Sequence, residues 1–225
     1  MHYAHFKQYN PLLLKALIET FPFATIIANG IDSPVVAYAP LIFKQDGENG
    51  AVEFHLAQKN PVSQYLTNGA KITIVLNGSS AHISPSWYTA RFSGDNPDRS
   101  KTAPTYNYIS TTLNGSVQIM DAQHLINQIK DLVKAHEPSD GWKIEEIDHD
   151  MFGKWCGLIT GFRVNIESFD MTVKLSQEQT PEDKPGIIAG LKKRGMAGDM
   201  TMARLLEVFD GTAESLIRGL SQCQK

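Results

Sequence analysis

Cysteine is nearly missing from this chain: Cys156 and Cys223 are the only two in 225 residues, far apart and in no metal-type or redox-type spacing. A disulfide-stapled secreted scaffold and a cysteine-ligated zinc site are excluded on that ground. Four motifs are absent too: a dinucleotide glycine fingerprint, a phosphate loop with its lysine, a nucleophile elbow and a zinc-protease histidine pair. The seven histidines are scattered, so no hydrolase triad is legible. Long apolar runs are lacking: Leu12-Leu13-Leu14 falls far short of a membrane span, and the N-terminus has no basic stretch leading into an apolar one. A cytoplasmic protein with no membrane partner is the expectation. An excess of positive charge is lacking as well, and a formal net charge of -3 gives no long-range pull toward nucleic acid.

What is present suffices for a core. The chain is 42% hydrophobic and 20% charged, which fits one domain, or one domain with an appendage. Asn10-Pro11 reads as an N-cap with proline at the first helical position, followed by an apolar stripe of Leu13, Leu14, Leu17 and Ile18. Phe23 to Ala28 and Pro34 to Phe43 read as strands joined through Asn29-Gly30. Ala51 to Ala57 alternates Val52, Phe54 and Leu56 with Glu53 and His55, the period of a half-buried strand. Lys71 to Leu76 is a strand, Asn77-Gly78-Ser79-Ser80 a turn, and Ala81 to Ile83 a continuation. Tyr106 to Met120 and Leu158 to Phe169 are further strands. Asp121 caps a helix over Ala122 to His136, and Pro138 to Phe152 reads as loop with short turns. Thr89 to Thr102 is a polar loop. Beyond Lys174 the texture changes: Glu182 to Leu191 and Thr201 to Leu220 are helical, with Gly195 ending one helix and Asp199 starting the next. Short strands, glycine-rich turns and few helices predict a mainly β fold with peripheral helices.

Two segments mix aromatic rings with small hydroxyls, an amide and a proline: Ser80 to Tyr88 and Ala103 to Tyr108. On a strand, His82, Ser84 and Ser86 share one face; followed by Trp87 and Tyr88, they could ring a heterocycle or simply finish a strand. Tyr106, Asn107 and Tyr108 read equally as ligand wall, turn or subunit interface. His55, Lys59 and Asn60 place a cation and an amide near a helix start, and Lys174, Ser176 and Gln177 form a similar polar trio. Lys192-Lys193-Arg194 is the one basic run suited to nucleic acid, although acids surround it and the following helix looks built to pack.

Four ordered pieces carry a resemblance: Phe54-His55-Leu56-Ala57 with Asn60-Pro61, Ala81 to Tyr88, Pro104 to Tyr108, and Lys174-Leu175-Ser176-Gln177. The chain resembles the FMN-binding negative transcriptional regulators, the Pai-type repressors of sporulation and protease synthesis. That resemblance implies a split β-barrel of the flavin reductase and pyridoxamine-phosphate oxidase type over residues 1–175, with a helical extension over 176–225. It also implies a homodimer that binds FMN through His55, Lys59, Asn60, His82, Ser84, Ser86, Trp87, Tyr106, Asn107, Tyr108 and Lys174. A transcriptional repressor with DNA as partner is the function it implies. A flavin- or haem-dependent oxidoreductase is the alternative, with His55 or His82 as the haem ligand.

Overall fold

A computed structural model describes residues 4–88, 100 and 102–223. Its elements are β1 (Lys7–Gln8), α1 (Pro11–Thr20), β2 (Phe23–Asn29), β3 (Pro34–Pro40), β4 (Ile42–Lys44), β5 (Ala51–Ala57), β6 (Lys71–Ile83), β7 (Thr105–Ile119), α2 (Ala122–His136), α3 (His149–Cys156), β8 (Ile159–Lys174), α4 (Lys184–Arg194), α5 (Asp199–Val208) and α6 (Ala213–Cys223). The chain divides into two compact units, one of Met1–Thr20, Asn77–Thr111 and Asp170–Lys225, the other of Phe21–Leu76 and Thr112–Phe169. No helix among the described residues is long and apolar enough to cross a membrane.

The second unit is built on antiparallel ladders. β2 pairs with β3 through Phe23↔Pro40 to Asn29↔Pro34, and with β6 through Thr25↔Val75. β5 pairs with β4 and with β8, where Phe54 stands opposite Phe162. The alternation legible in Ala51 to Ala57 does what it promises on one side, burying Phe54 and Leu56. Glu53, on the other side, is buried as well, because Arg163 and Lys44 reach it. Gly115 is required where it stands: a β-carbon there would lie 2.2 Å from the Asn165 carbonyl oxygen.

In the first unit the helices supply most of the core. Asn10 accepts from the Leu12 and Leu13 amides at 2.9 and 3.3 Å, capping α1 as its Asn-Pro signature predicts. The apolar stripe of α1 is fully buried, and Thr20 at its end donates to the Leu220 carbonyl of α6. Ile187, Leu191, Met202, Leu205, Leu206, Leu216 and Leu220 close the interior of α4 to α6. β1 pairs with the end of β8 through Lys7↔Thr172.

The expectation of a mainly β split barrel is overturned. The eight strands run in the order β3-β2-β6-β7-β8-β5-β4, with β1 beside β8. β3 and β4 are therefore free ends, and among the described residues no ladder joins them. Six α-helices accompany this open sheet, which makes the fold mixed α/β. Alternation in sequence reports which side chains face a core and says nothing about which strands pair, so it cannot distinguish an open sheet from a closed one.

Two local readings also change. β6 runs unbroken through Asn77-Gly78-Ser79-Ser80; residues 72, 74 and 76 are buried before this point and 79, 81 and 83 after it, so the chain slips by one residue without turning. Pro138 to Phe152 is not all loop, because Asp148 accepts from the Met151 amide at 2.9 Å and starts α3. Of the predicted loop Thr89 to Thr102, all but residues 100 and 102 lie outside the described residues.

Candidate functional site

The slip in β6 decides which side chains can act. After it, odd residues of β6 are buried, and His82 and Ser84 point to the opposite, more open side. The strand then ends at Ile83. Ser86 does not continue the face; it lies in the 3-10 turn Pro85–Trp87, whose start Ser84 caps by accepting from the Ser86 amide at 3.2 Å. β7 alternates in the same way, burying Asn107 and turning Tyr106 and Tyr108 outward. Tyr106 remains 58% exposed and meets the His82 ring edge-on, with centroids 5.7 Å apart.

Arg194, at the end of α4, completes this wall. Its guanidinium carbon lies 5.0 Å over the Trp87 ring, and Nη1 is 3.3 Å from His82 Nδ1. Asp199 holds the other edge of the guanidinium at 2.8 and 2.6 Å. That hydrogen bond lowers the Asp199 pKa and raises the Arg194 pKa. Asp199 is the first residue of α5 and not its cap, since Gly198, with φ of +85°, takes the cap position. Gly195 ends α4 in the left-handed conformation, as predicted.

Asn107 and Lys174 form a second group within the same unit. Asn107 is fully buried; its Nδ2 donates to Ser176 Oγ at 2.8 Å while its Oδ1 has no partner among the described residues. Lys174, 8% exposed, donates to Thr105 Oγ1 at 2.5 Å and lies 5.8 Å from the Phe6 ring centroid. Among the described residues, no carboxylate lies within 4 Å of Lys174. Gln177 is spent locally, accepting from the Leu175 amide and donating to the Val173 carbonyl. Because Thr105 and Asn107 share the buried face of β7, this pair is not part of the wall that Tyr106 and Tyr108 present.

The remaining predicted residues belong to the other unit. His55 Nδ1 is 2.8 Å from Gln128 Oε1, and the buried Nε2 of Gln128 has no partner among the described residues. Asn60 Oδ1 accepts from the Val62 amide at 2.9 Å, and Lys59 is exposed. An open cleft of about 790 Å³ in this unit is lined by Asp46, Glu53, Asp121, His124 and Arg163, and by none of the eleven predicted residues. Arg163 is committed there to Glu53 and Asp46 at 2.7 and 2.5 Å, which leaves an anion little to bind. Size alone therefore does not make that cleft the site.

Sequence reasoning missed Arg194 and Asp199 as members of the wall, and Gln128 as the partner of His55. Arg194 and Asp199 flank Gly195 and Gly198, a spacing that signals a tight link between helices whose charges can meet. Gln128 is a polar interruption beside the Leu125, Ile129 and Leu132 stripe of α2 and is fully buried.

Three comparisons bear on this arrangement. A family model described as "Putative FMN-binding domain" matches residues 1–168. The chain is 20% identical over 205 residues to "Protease synthase and sporulation protein PAI 2" of Bacillus subtilis, covering 90% of this chain and 94% of that protein. Among solved structures it is similar to the flavocytochrome Anf3 from Azotobacter vinelandii, with TM-score 0.57, 16% identity, and 77% and 72% of the two chains covered. It is also similar to an FAD and haem binding protein from Mycobacterium smegmatis, with TM-score 0.55, 16% identity, and 82% and 80% covered.

Proposed function

The chain belongs to the FMN-binding domain family whose model its residues 1–168 match, and from that premise we propose that it is a flavin-binding protein of oxidoreductase type, taking FMN and working as a homodimer. The observation that carries this reading is the open wall of His82, Tyr106 and Tyr108, on one side of two neighbouring strands, with Trp87 in the turn that follows β6. Isoalloxazine offers a flat π-face and a polar rim, and such a wall matches both.

Polar groups of the wall's own unit support a phosphorylated ligand as well. Lys174, in the same unit as the wall, has no carboxylate within 4 Å among the described residues, so no carboxylate competes there with an anion. Asn107 Oδ1, without a partner among the described residues, is a buried acceptor on the opposite face of β7 from the wall. Ser84 and Ser86 bring hydroxyls beside Trp87 in the same unit. When bound, FMN supplies the electron transfer; the chain binds it, orients it and keeps water from its face.

Support for a haem-dependent variant is thinner. His82 Nδ1 is met by Arg194, which puts the ring proton on Nε2 and takes His82 out of consideration for iron, while His55, with Nδ1 against Gln128 Oε1, keeps Nε2 for it. The repressor reading rests on the resemblance and on the Bacillus subtilis relative. Against it, two cations of the basic run are already engaged, Lys192 with Glu207 and Arg194 with Asp199.

Titrating the purified full chain with FMN while following flavin fluorescence tests the proposal, with light scattering to give the mass in solution. Quenching that saturates, and that weakens in His82→Ala and Tyr106→Ala, is the expected result. A folded protein that leaves both FMN and FAD fluorescence unchanged at high concentration would overturn it.

A further inference from the structure

We propose that Arg194 is a positioning residue for the aromatic wall, holding His82 with Nδ1 unprotonated and fixing the Trp87 ring. The argument begins with what a guanidinium can do: it donates and never accepts. With Nη1 3.3 Å from His82 Nδ1, that ring nitrogen must present its lone pair, and the proton of the neutral imidazole is on Nε2. His82 is then a donor, through Nε2–H, to a carbonyl or phosphate oxygen of a ligand on the wall.

The guanidinium is not free to swing away. Asp199, 1% exposed, takes Nε and Nη2 together and is itself held by the Met196 amide at 2.8 Å. Gly198 fixes the start of α5, its carbonyl accepting from Ser79 Oγ at 3.2 Å. Two edges of one planar fork thus serve Asp199 and His82 while its face covers Trp87. A lysine ammonium is a point charge and cannot fill all three roles. Trp87 is confined from the other element too, because its indole lies on the backbone of Gly190. Gly190, Arg194 and Asp199 lie beyond the family match, so α4 and the start of α5 supply part of the wall.

The assignment rests on the flavin reading only for the ligand's identity; the tautomer does not depend on it. Long-range proton–nitrogen correlation spectra of the ¹⁵N-labelled full chain, with His82 assigned by His82→Gln, read that tautomer directly. The expected result is a pyridine-like Nδ1 and a pyrrole-like Nε2 in the unsubstituted protein. Arg194→Met and Arg194→Lys should both give mixed tautomers, and FMN binding should weaken about tenfold, the worth of one hydrogen bond to a charged group. A pyrrole-like Nδ1, or a tautomer unchanged in Arg194→Met, would overturn the assignment. The first of these needs no variant, so a misfolded Arg194→Met does not blunt the test. A fixed tautomer with no flavin quenching would sink the flavin reading and leave Arg194 in its role. Mixed tautomers with undiminished FMN affinity would sink the claim that the positioning matters to the ligand.

Discussion

Trp87 rests on Gly190 so closely that a β-carbon on Gly190 would lie 2.2 Å from Trp87 Cδ2. No real contact is that short, so hydrogen at this position is a packing requirement of the α4 helix against the turn that carries Trp87. Gly190→Ala must push the indole out or part the two segments, at a cost of about 1–3 kcal/mol. Urea denaturation checks it, together with Trp87 fluorescence in a Trp142→Phe, Trp155→Phe background. Trp87→Ala combined with Gly190→Ala should cost less than the two single changes added together, since the clash vanishes with the ring. Strict additivity would show that the two residues do not meet.

Lys174 is a buried cation with a hydroxyl and a phenyl ring for company and, among the described residues, no carboxylate within 4 Å. Among the described residues its Nζ donates to one side-chain oxygen, where an ammonium has three donors to place. Lys174→Met should therefore raise the urea midpoint, by roughly 1 kcal/mol in stability, since an apolar chain of similar length removes the desolvation penalty. The same change should abolish the rise in midpoint that FMN gives the unsubstituted protein, if the ammonium meets the phosphate. A lowered midpoint in Lys174→Met would mean that the cation is satisfied by the protein alone.

How much of this was legible beforehand depends on the range of the interaction. Caps act within four residues, and the signatures at Asn10-Pro11 and Asp121 identify the starts of α1 and α2 correctly. The alternation in Ala51 to Ala57 identifies the buried Phe54 and Leu56. Asn77-Gly78-Ser79-Ser80 misleads because the same residues suit a turn and a bulge, and only the neighbours of Gly78, Ile109 and Leu17, decide between them. The open sheet order was not legible, being a matter of pairing between distant segments. In the wall, the residue types of His82, Trp87 and Tyr106 drew attention, while Arg194 hid in what looks like a solvated basic run. Its partners His82 and Trp87 are more than a hundred positions away, so local pattern holds no record of them.

Asp210 provides a pH test of the C-terminal helices. Its carboxylate accepts from the Thr212 hydroxyl at 2.6 Å and the Thr212 amide at 2.9 Å, and these bonds together with Ser215 bring its pKa down from 3.8 to about 2. A carboxyl held below its unfolded value stabilises the fold only while ionised. That contribution is complete above pH 3.8 and is lost as pH falls toward about 2. Acid unfolding followed by circular dichroism should show Asp210→Asn destabilised relative to the unsubstituted chain at pH 6, with the two curves converging as pH falls toward about 2. A constant gap down to the lowest pH would show that Asp210 contributes through shape and not through its charge.

The basic run in the last turn of α4 makes a separate prediction about DNA. Of Lys192, Lys193 and Arg194, the first pairs with Glu207 at 2.5 Å and the third with Asp199. Lys193 is exposed and free of a carboxylate among the described residues. A phosphate would have to displace Glu207 or Asp199 to recruit the other two, giving up a bond already made. Binding through this patch should then release about one counterion, with a slope near -0.9 in log affinity against log salt. Six to ten phosphate contacts give a loss of roughly 10³ to 10⁵ in affinity between 50 and 200 mM salt, so the two regimes are easily told apart by fluorescence anisotropy on a labelled duplex. Lys193→Ala should remove what little binding there is. A steep slope that survives Lys193→Ala would mean that a different face meets the duplex, and it would return the repressor reading to the front.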